Sequence, residues 1–211
     1  MFAERLPATM VAGSISPWVE AILLAIEPRL AVTTVDYNVP ILRDTSGRIR
    51  TAKMEEVMNG KRKFGLIVSF SSIEHDGLGR YGDPLKPDGD LAAMKKMRDI
   101  LTPEGFLLLA VPVAATDKLH IGAERMYGQL RIPKLLEGWR LRYVVGNLFA
   151  LNENPNYNAT STIVEQRLEL LKRHDPTWMH QPVLVLQHAA NNFPPFRCID
   201  RQDRISCGHD V

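Results

Sequence analysis

Hydroxyls (Ser71, Ser72), carboxylates (Glu74, Asp76, Asp83), an imidazole (His75) and the glycines at 77, 79 and 82 crowd the run Ser71-Ser-Ile-Glu-His-Asp-Gly-Leu-Gly-Arg-Tyr-Gly-Asp-Pro84. An imidazole titrates near neutrality and can take a proton from a substrate hydroxyl or amine, with a carboxylate such as Glu74 or Asp83 to orient it. A structural reading competes with this one: polar residues after a strand satisfy exposed backbone groups, and glycines make turns. The glycines with Arg80 also suit a hinge or an anion cradle, although no Lys-Ser or Lys-Thr opens a helix after them to complete a phosphate loop. His75, Asp76, Asp83 and His120 can be drawn together as a metal set, but no HxH or HExxH spacing supports one, and no metal is expected.

These residues need an element to hold them, and Phe64-Gly-Leu-Ile-Val-Ser-Phe70 supplies it. This is a short, continuous apolar run rich in β-formers that reads as a strand covered on both faces. Upstream, Ala8 to Ala12 reads as a first strand and Gly13-Ser-Ile-Ser16 as its turn. A helix follows, with Ser16 as cap, Pro17 in the first position, and Trp18, Val19, Ile22, Leu23 and Ile26 on one face, closed by Pro28. Ala31 to Val35 is a second strand ending in Asp36-Tyr-Asn38. A short strand over Arg48 to Thr51 and a brief helix over Met54 to Met58 precede the basic turn Asn59 to Lys63, whose Lys61-Arg-Lys63 reads as solvated.

Downstream, Asp90 is placed to cap a helix carrying Leu91, Met94, Met97, Ile100 and Leu101, which Thr102-Pro-Glu-Gly105 ends; Phe106 to Val111 is then another apolar strand. Pro133 to Glu137 reads as a short helix, Leu141 to Val145 as a strand and Asn147 to Ser161 as a long loop. Thr162 to Arg173 reads as a helix with a capping box, and Val183 to Leu186 as a last strand. Trp18 and Trp139 lie at element boundaries and read as packing residues. The repeated order strand, helix, strand predicts an α/β fold with a mostly parallel sheet between helices, in one domain over residues 1–190 with a tail over 191–211.

Composition sets bounds around this. The 211 residues, 45% hydrophobic and 24% charged, are those of a globular chain long enough for one full core. A net charge of +2, with both signs interspersed, argues for neither nucleic acid nor a membrane surface as partner. Cys198 and Cys207 fall together near the carboxyl end and cannot staple a core, so a reduced, cytoplasmic setting is expected. No apolar stretch approaches a membrane span, and Glu4 and Arg5 interrupt any signal-like start, although a first strand this early suggests an upstream segment. Oligomeric state is not readable.

Phe64 to His75, with Leu101-Thr-Pro-Glu-Gly-Phe-Leu-Leu-Leu-Ala-Val-Pro112, Arg125-Met-Tyr and Leu135-Leu-Glu-Gly-Trp139, resembles the later half of class I S-adenosylmethionine-dependent methyltransferases; the resemblance runs from about Thr9 to Gln187. The string Ser71 to Pro84, with Val11-Ala-Gly-Ser-Ile-Ser-Pro-Trp18 and Gln181-Pro-Val-Leu-Val-Leu186, is similar to the domain-of-unknown-function family two-six-eight. The resemblance implies a Rossmann-like, doubly wound sheet in three layers, with Val183 to Leu186 antiparallel between Phe106 to Val111 and Leu141 to Val145.

It also implies S-adenosylmethionine as cofactor. Gly13 and Ser14 would then lie at its methionine end, Asp36 and Tyr37 at its ribose, and Ser69, Phe70 and Ser71 along its border. His75 would be the base, with Glu74 or Asp83 as orienting partner, and the acceptor a small or sugar-like molecule. Two departures stand out: Gly13-Ser-Ile-Ser-Pro replaces a turn of several glycines, and Ala52-Lys53 replaces an acid-bearing adenine-edge segment, with Glu55 the nearest substitute. A catalytically inactive binding or assembly module of this fold therefore stays open. So does a nicotinamide-dependent Rossmann enzyme, because an acid about twenty residues past a glycine turn reads a ribose there too.

Overall fold

The computed structural model describes residues 6–39, 41, 46–59, 61–114, 116–145 and 179–189. The expected loop over 147–161, the helix over 162–173, the tail and both cysteines lie outside them. In chain order the elements are β1 (Thr9–Ala12), α1 (Trp18–Ile26), β2 (Val32–Asp36), β3 (Ile49–Lys53), α2 (Met54–Asn59), β4 (Phe64–Phe70), α3 (Gly89–Ile100) and β5 (Leu101–Ala110). There follow β6 (Val113–Ala114), β7 (Lys118–His120), β8 (Glu124–Met126), α4 (Arg131–Leu135), β9 (Trp139–Val145), β10 (Met179–His180) and β11 (Val183–His188).

A seven-stranded sheet runs β3-β2-β1-β4-β5-β11-β9. β1 pairs in parallel with β2 and β4, β2 with β3 and β4 with β5, whereas β11 is antiparallel to both β5 and β9. This is the antiparallel placement that the resemblance implied. Two small additions have no counterpart in the sequence reading: β10 pairs with β6, and β7 with β8, each antiparallel.

Alternation along the buried strands sorts the core into two layers. Met10, Ile67, Leu107, Leu109, Leu184 and Leu186 face Met94, Met97 and Ile100 of α3 and Ile132 and Leu135 of α4. Val11, Val32 and Val68 face the other way, against Val19, Leu23 and Leu24 of α1. The apolar face expected on α1 is therefore corrected: Val19 and Leu23 point inward, but Trp18, Ile22 and Ile26 are 49%, 51% and 77% exposed. Glu20 occupies the inward side instead, with no exposed surface.

Neither expected serine or aspartate cap holds. Pro17 stands at the N-cap of α1 and Asp88 at that of α3, both without a side-chain cap bond, and Asp90 is buried inside the first turn of α3.

Candidate functional site

Because β1, β2 and β4 are parallel, the residues that follow each strand emerge at one edge of the sheet, where ligands bind in open α/β folds. Register brings them side by side, with Ala12 opposite both Val35 and Ser69. Gly13, Asp36 and Phe70 thus form one row at the carboxyl ends.

Gly13 has φ +74°, a conformation natural to glycine, and donates its N–H to Val35 O at 2.8 Å. A Cβ at this position would overlap Ser72 Oγ, so the turn after β1 and the loop after β4 touch here. The Ser14 hydroxyl lies 2.9 Å from Ser16 O and 3.1 Å from Glu20 Oε2, and Thr34 of β2 donates to Glu20 Oε1 at 2.6 Å. Asp36 ends β2 with Oδ1 accepting the Asn38 N–H at 2.9 Å, and the Asn38 side chain donates to Tyr81 O at 3.2 Å. Tyr37 is pushed up to about 12 by burial and by the carboxylates of Asp76, Asp83 and Asp36.

At the end of β4, the Ser69 hydroxyl is buried and has no hydrogen-bond partner. Phe70 meets Trp18 edge to face at 4.9 Å. Ser71 has φ +50°, a strained setting for a residue with a Cβ, and donates its hydroxyl to Glu74 Oε1 at 2.7 Å. A single 3-10 turn, Ile73–His75, then buries Glu74 and His75. Glu74 has no exposed surface, its Oε2 has no partner, and burial holds its carboxyl above the usual carboxylate range against the opposing pull of Ser71. His75 Nδ1 lies 2.6 Å from Ala123 O; a carbonyl only accepts, so Nδ1 carries the proton and Nε2 the lone pair of the neutral ring. Nε2 is 3.8 Å from Glu74 Oε1, and the ring stands edge-on to Tyr81.

Asp76 is 7% exposed, and burial, with Asp83 and Asp90 nearby, pushes its carboxyl to about 7, Arg125 opposing. The carboxylate of Asp83 accepts the amides of Gly77, Gly79 and Tyr81 at 2.6, 3.3 and 3.3 Å. Burial raises the affinity of Asp83 for a proton, but these amides outweigh it and hold the carboxyl below its ordinary value. Of the two orienting partners considered for His75, Glu74 therefore lies beside the imidazole, and Asp83 is engaged in closing the 77–83 loop.

What holds this loop was not visible in the sequence. Arg125 on β8, 3% exposed, donates from Nη1 to Glu74 O and Asp76 O at 3.3 and 2.7 Å, and from Nη2 to Lys86 O and Pro87 O at 3.4 and 3.0 Å. Asp90 takes Arg131 at 2.8 and 2.5 Å and the Tyr127 hydroxyl at 3.0 Å. A guanidinium presents five donors in a fixed fork, which suits it to gather carbonyls from separate stretches of chain. In the sequence Asp90 stood out as a cap, and Arg125 and Tyr127 only as part of the Arg125-Met-Tyr segment of the resemblance. Among the described residues no group of three or more His, Cys, Asp or Glu is arranged to hold a metal ion, and no helix is long and apolar enough to cross a membrane.

The family described as "Caenorhabditis protein of unknown function, DUF268" matches residues 7–177. A search of curated proteins finds no match. Among solved structures, an O-methyltransferase from a trans-AT polyketide synthase multienzyme of Brevibacillus brevis, in complex with S-adenosyl-L-homocysteine, is similar at TM-score 0.53 and 12% identity, over 87% of this chain and 67% of that one. The 1,6-didemethyltoxoflavin-N1-methyltransferase of Burkholderia thailandensis, with bound 1,6-didemethyltoxoflavin and S-adenosylhomocysteine, is similar at TM-score 0.52 and 14% identity, over 86% of this chain and 71% of that one. The CcbJ methyltransferase of Streptomyces caelestis is similar at 0.54 and 13%, over 87% and 84%. At these identities the likeness establishes the fold, that of the class I methyltransferases.

Proposed function

The chain belongs to the DUF268 family, and from that premise together with its fold we propose that it is an S-adenosylmethionine-dependent methyltransferase acting on a small-molecule acceptor. One observation carries the reading: the parallel pairing of β2, β1 and β4 gathers the Gly13 turn, Asp36 and the loop after β4 along the carboxyl ends of the strands. The residues there fit the cofactor. Asp36 has one carboxylate oxygen on the Asn38 amide and the other without a donor among the described residues, as ribose hydroxyls require. The Ser69 hydroxyl is a buried polar group awaiting a partner at the end of β4. Gly13 and Ser14 would hold the methionine end, Asp36 and Tyr37 the ribose, and Ser69, Phe70 and Ser71 the side between them.

When bound, the cofactor supplies a methyl group activated on a sulfonium. The protein's part is alignment and proton handling. His75 is the base, fixed by its bond to Ala123 O so that Nε2 accepts the proton of an acceptor hydroxyl or amine. Glu74, whose Oε1 lies 3.8 Å from Nε2, is the partner placed to stabilise the imidazolium that results. Asp83, whose carboxyl the amides of Gly77, Gly79 and Tyr81 hold below its ordinary value, gives this lip its negative charge, which suits a neutral or cationic, donor-bearing acceptor such as a polyol or an amine.

A second reading, a catalytically inactive binding module of the same fold, is favoured by the packing of Ser72 against Gly13, which narrows the crevice at the first turn. Calorimetric titration with S-adenosylhomocysteine separates the two. Binding that Asp36→Ala weakens by about tenfold or more is the expected result. No heat at millimolar ligand defeats the methyltransferase reading in favour of the module, and tight binding of NADH instead would point to a nicotinamide enzyme.

A further inference from the structure

We propose that Glu20 is a positioning residue of the cofactor site, a role that in this chain stands in for the absent glycines of the first turn. The inference rests on the methyltransferase reading and adds to it a residue that touches no ligand. Glu20 sits at the third position of α1, and helical side chains lean toward the helix N-terminus. Its carboxylate therefore returns under the turn it follows. There it meets two hydroxyls from two different elements, Ser14 in the turn after β1 and Thr34 in β2. The first helical turn also favours a negative group at this place.

The two contacts span the ends of the proposed site. Ser14 lies next to Gly13, and Thr34 lies two residues before Asp36 on the same face of β2, because side chains alternate along a strand. A third link, the Gly13 N–H on Val35 O, ties the same turn to the same strand. A turn with several glycines can settle around a ligand through its own backbone freedom. Here only Gly13 has that freedom within the turn, and the path of Ser14 to Pro17 is set from beneath by a carboxylate with no exposed surface. Glu20 thereby fixes the distance between the methionine-end turn and the ribose-binding acid.

The hydrogen-bond inventory gives a conservative variant. In Glu20→Gln the amide oxygen can accept from Thr34 while the amide nitrogen donates to Ser14 Oγ, whose proton turns to Ser16 O, already 2.9 Å away. Glu20→Ala leaves Thr34 without its partner and Ser14 with Ser16 O alone, so both tethers to α1 are lost. Thr34→Val removes one tether with little change in volume at a residue given no ligand contact and serves if Glu20→Ala fails to fold, whereas Ser14→Ala removes the other tether together with a proposed cofactor contact.

The test is titration of the full chain with S-adenosylhomocysteine, alongside the melting temperature of each variant. Ser14→Ala and Thr34→Val are expected to weaken binding several-fold each. Their combination and Glu20→Ala should weaken it by ten- to a hundredfold, while Glu20→Gln stays within about threefold of wild type. If the variants melt earlier but the folded proteins bind as tightly as wild type, Glu20 is merely structural and the proposal is overturned. Glu20→Gln as weak as Glu20→Ala overturns it as well. A wild-type chain that binds no S-adenosylhomocysteine removes the methyltransferase reading and this proposal together, so the two failures are told apart by the wild-type titration alone.

Discussion

Replacing Asp76 by Asn should change how the stability of the protein depends on pH. The carboxyl of Asp76 is 7% exposed and is pushed from 3.8 to about 7 by burial and by the negative charges of Asp83 and Asp90. In the unfolded chain it returns to about 3.9. The folded protein thus holds a proton on Asp76 that the unfolded chain has released over most of the interval between these values. Its contribution to stability is complete below pH ~4 and is lost as pH rises to about 7. At ~1.4 kcal/mol for each tenfold difference in proton affinity, the whole effect is about 4 kcal/mol. Roughly 2.5 kcal/mol of it falls between pH 5 and pH 8.

Asn is isosteric and stays neutral, so Asp76→Asn removes this term while the other titrating groups largely cancel in the comparison with wild type. The assay is urea unfolding of both proteins at pH 5 and pH 8, with unchanged m-values as the check on two-state behaviour. The variant should gain about 2.5 kcal/mol on wild type between the two pH values. A stability difference that does not move with pH would refute the reasoning, because it would mean that the carboxyl at position 76 ionises at its ordinary value or in water.

Three other substitutions probe the scaffold and the site. Gly13→Ala places a Cβ on Ser72 Oγ in a left-handed backbone conformation and should destabilise by ~2 kcal/mol or more while abolishing S-adenosylhomocysteine binding. Adding Ser72→Gly relieves the overlap but not the backbone, so thermal denaturation should show partial recovery that still leaves about 1 kcal/mol of cost. Arg125→Lys keeps the charge but loses the fork that reaches four carbonyls; a loss of ~2–4 kcal/mol in chemical denaturation is expected, with new proteolytic cleavage within 74–87. His75→Gln retains a donor for Ala123 O but offers no base, so methyl transfer should fall by about a hundredfold or more with S-adenosylhomocysteine affinity preserved, as measured by turnover against calorimetry.

Continuous apolar runs were the legible part of the sequence. Phe64 to Phe70 needed only its own residue types to declare a buried strand, and its bounds agree with the structure. Periodicity served less well on α1, where Trp18, Ile22 and Ile26 share a face in the sequence yet point outward. The helix is seated by Val19, Leu23 and Leu24, and by a glutamate whose partners lie in other elements, so its own spacing could not reveal the rotation. The lip residues Glu74, His75 and Asp76 stood out because polar types followed an apolar strand. Their environment was hidden: Asp83 turned toward local amides, Arg125 reached back across about fifty residues to the carbonyls of Glu74 and Asp76, and Asp90 became a buried partner of two arginines. Contacts of this kind depend on where loops fold back, and residue type at a single position does not encode them.

The insertion of β11 between β5 and β9 also bears on how the chain is made. While it emerges from the ribosome, β5 can pair with β4, but its other edge stays open until Val183 arrives opposite Ala110. During that interval the nascent chain exposes Phe106 to Ala110, an apolar, uncharged strand edge of the type that recruits foreign strands. Synthesis halted between β9 and β11 would leave unpaired the two edges that β11 joins, one on β5 and one on β9, so such shortened products should aggregate and recruit chaperones even though the proposed site residues from Gly13 to Asp83 are all present.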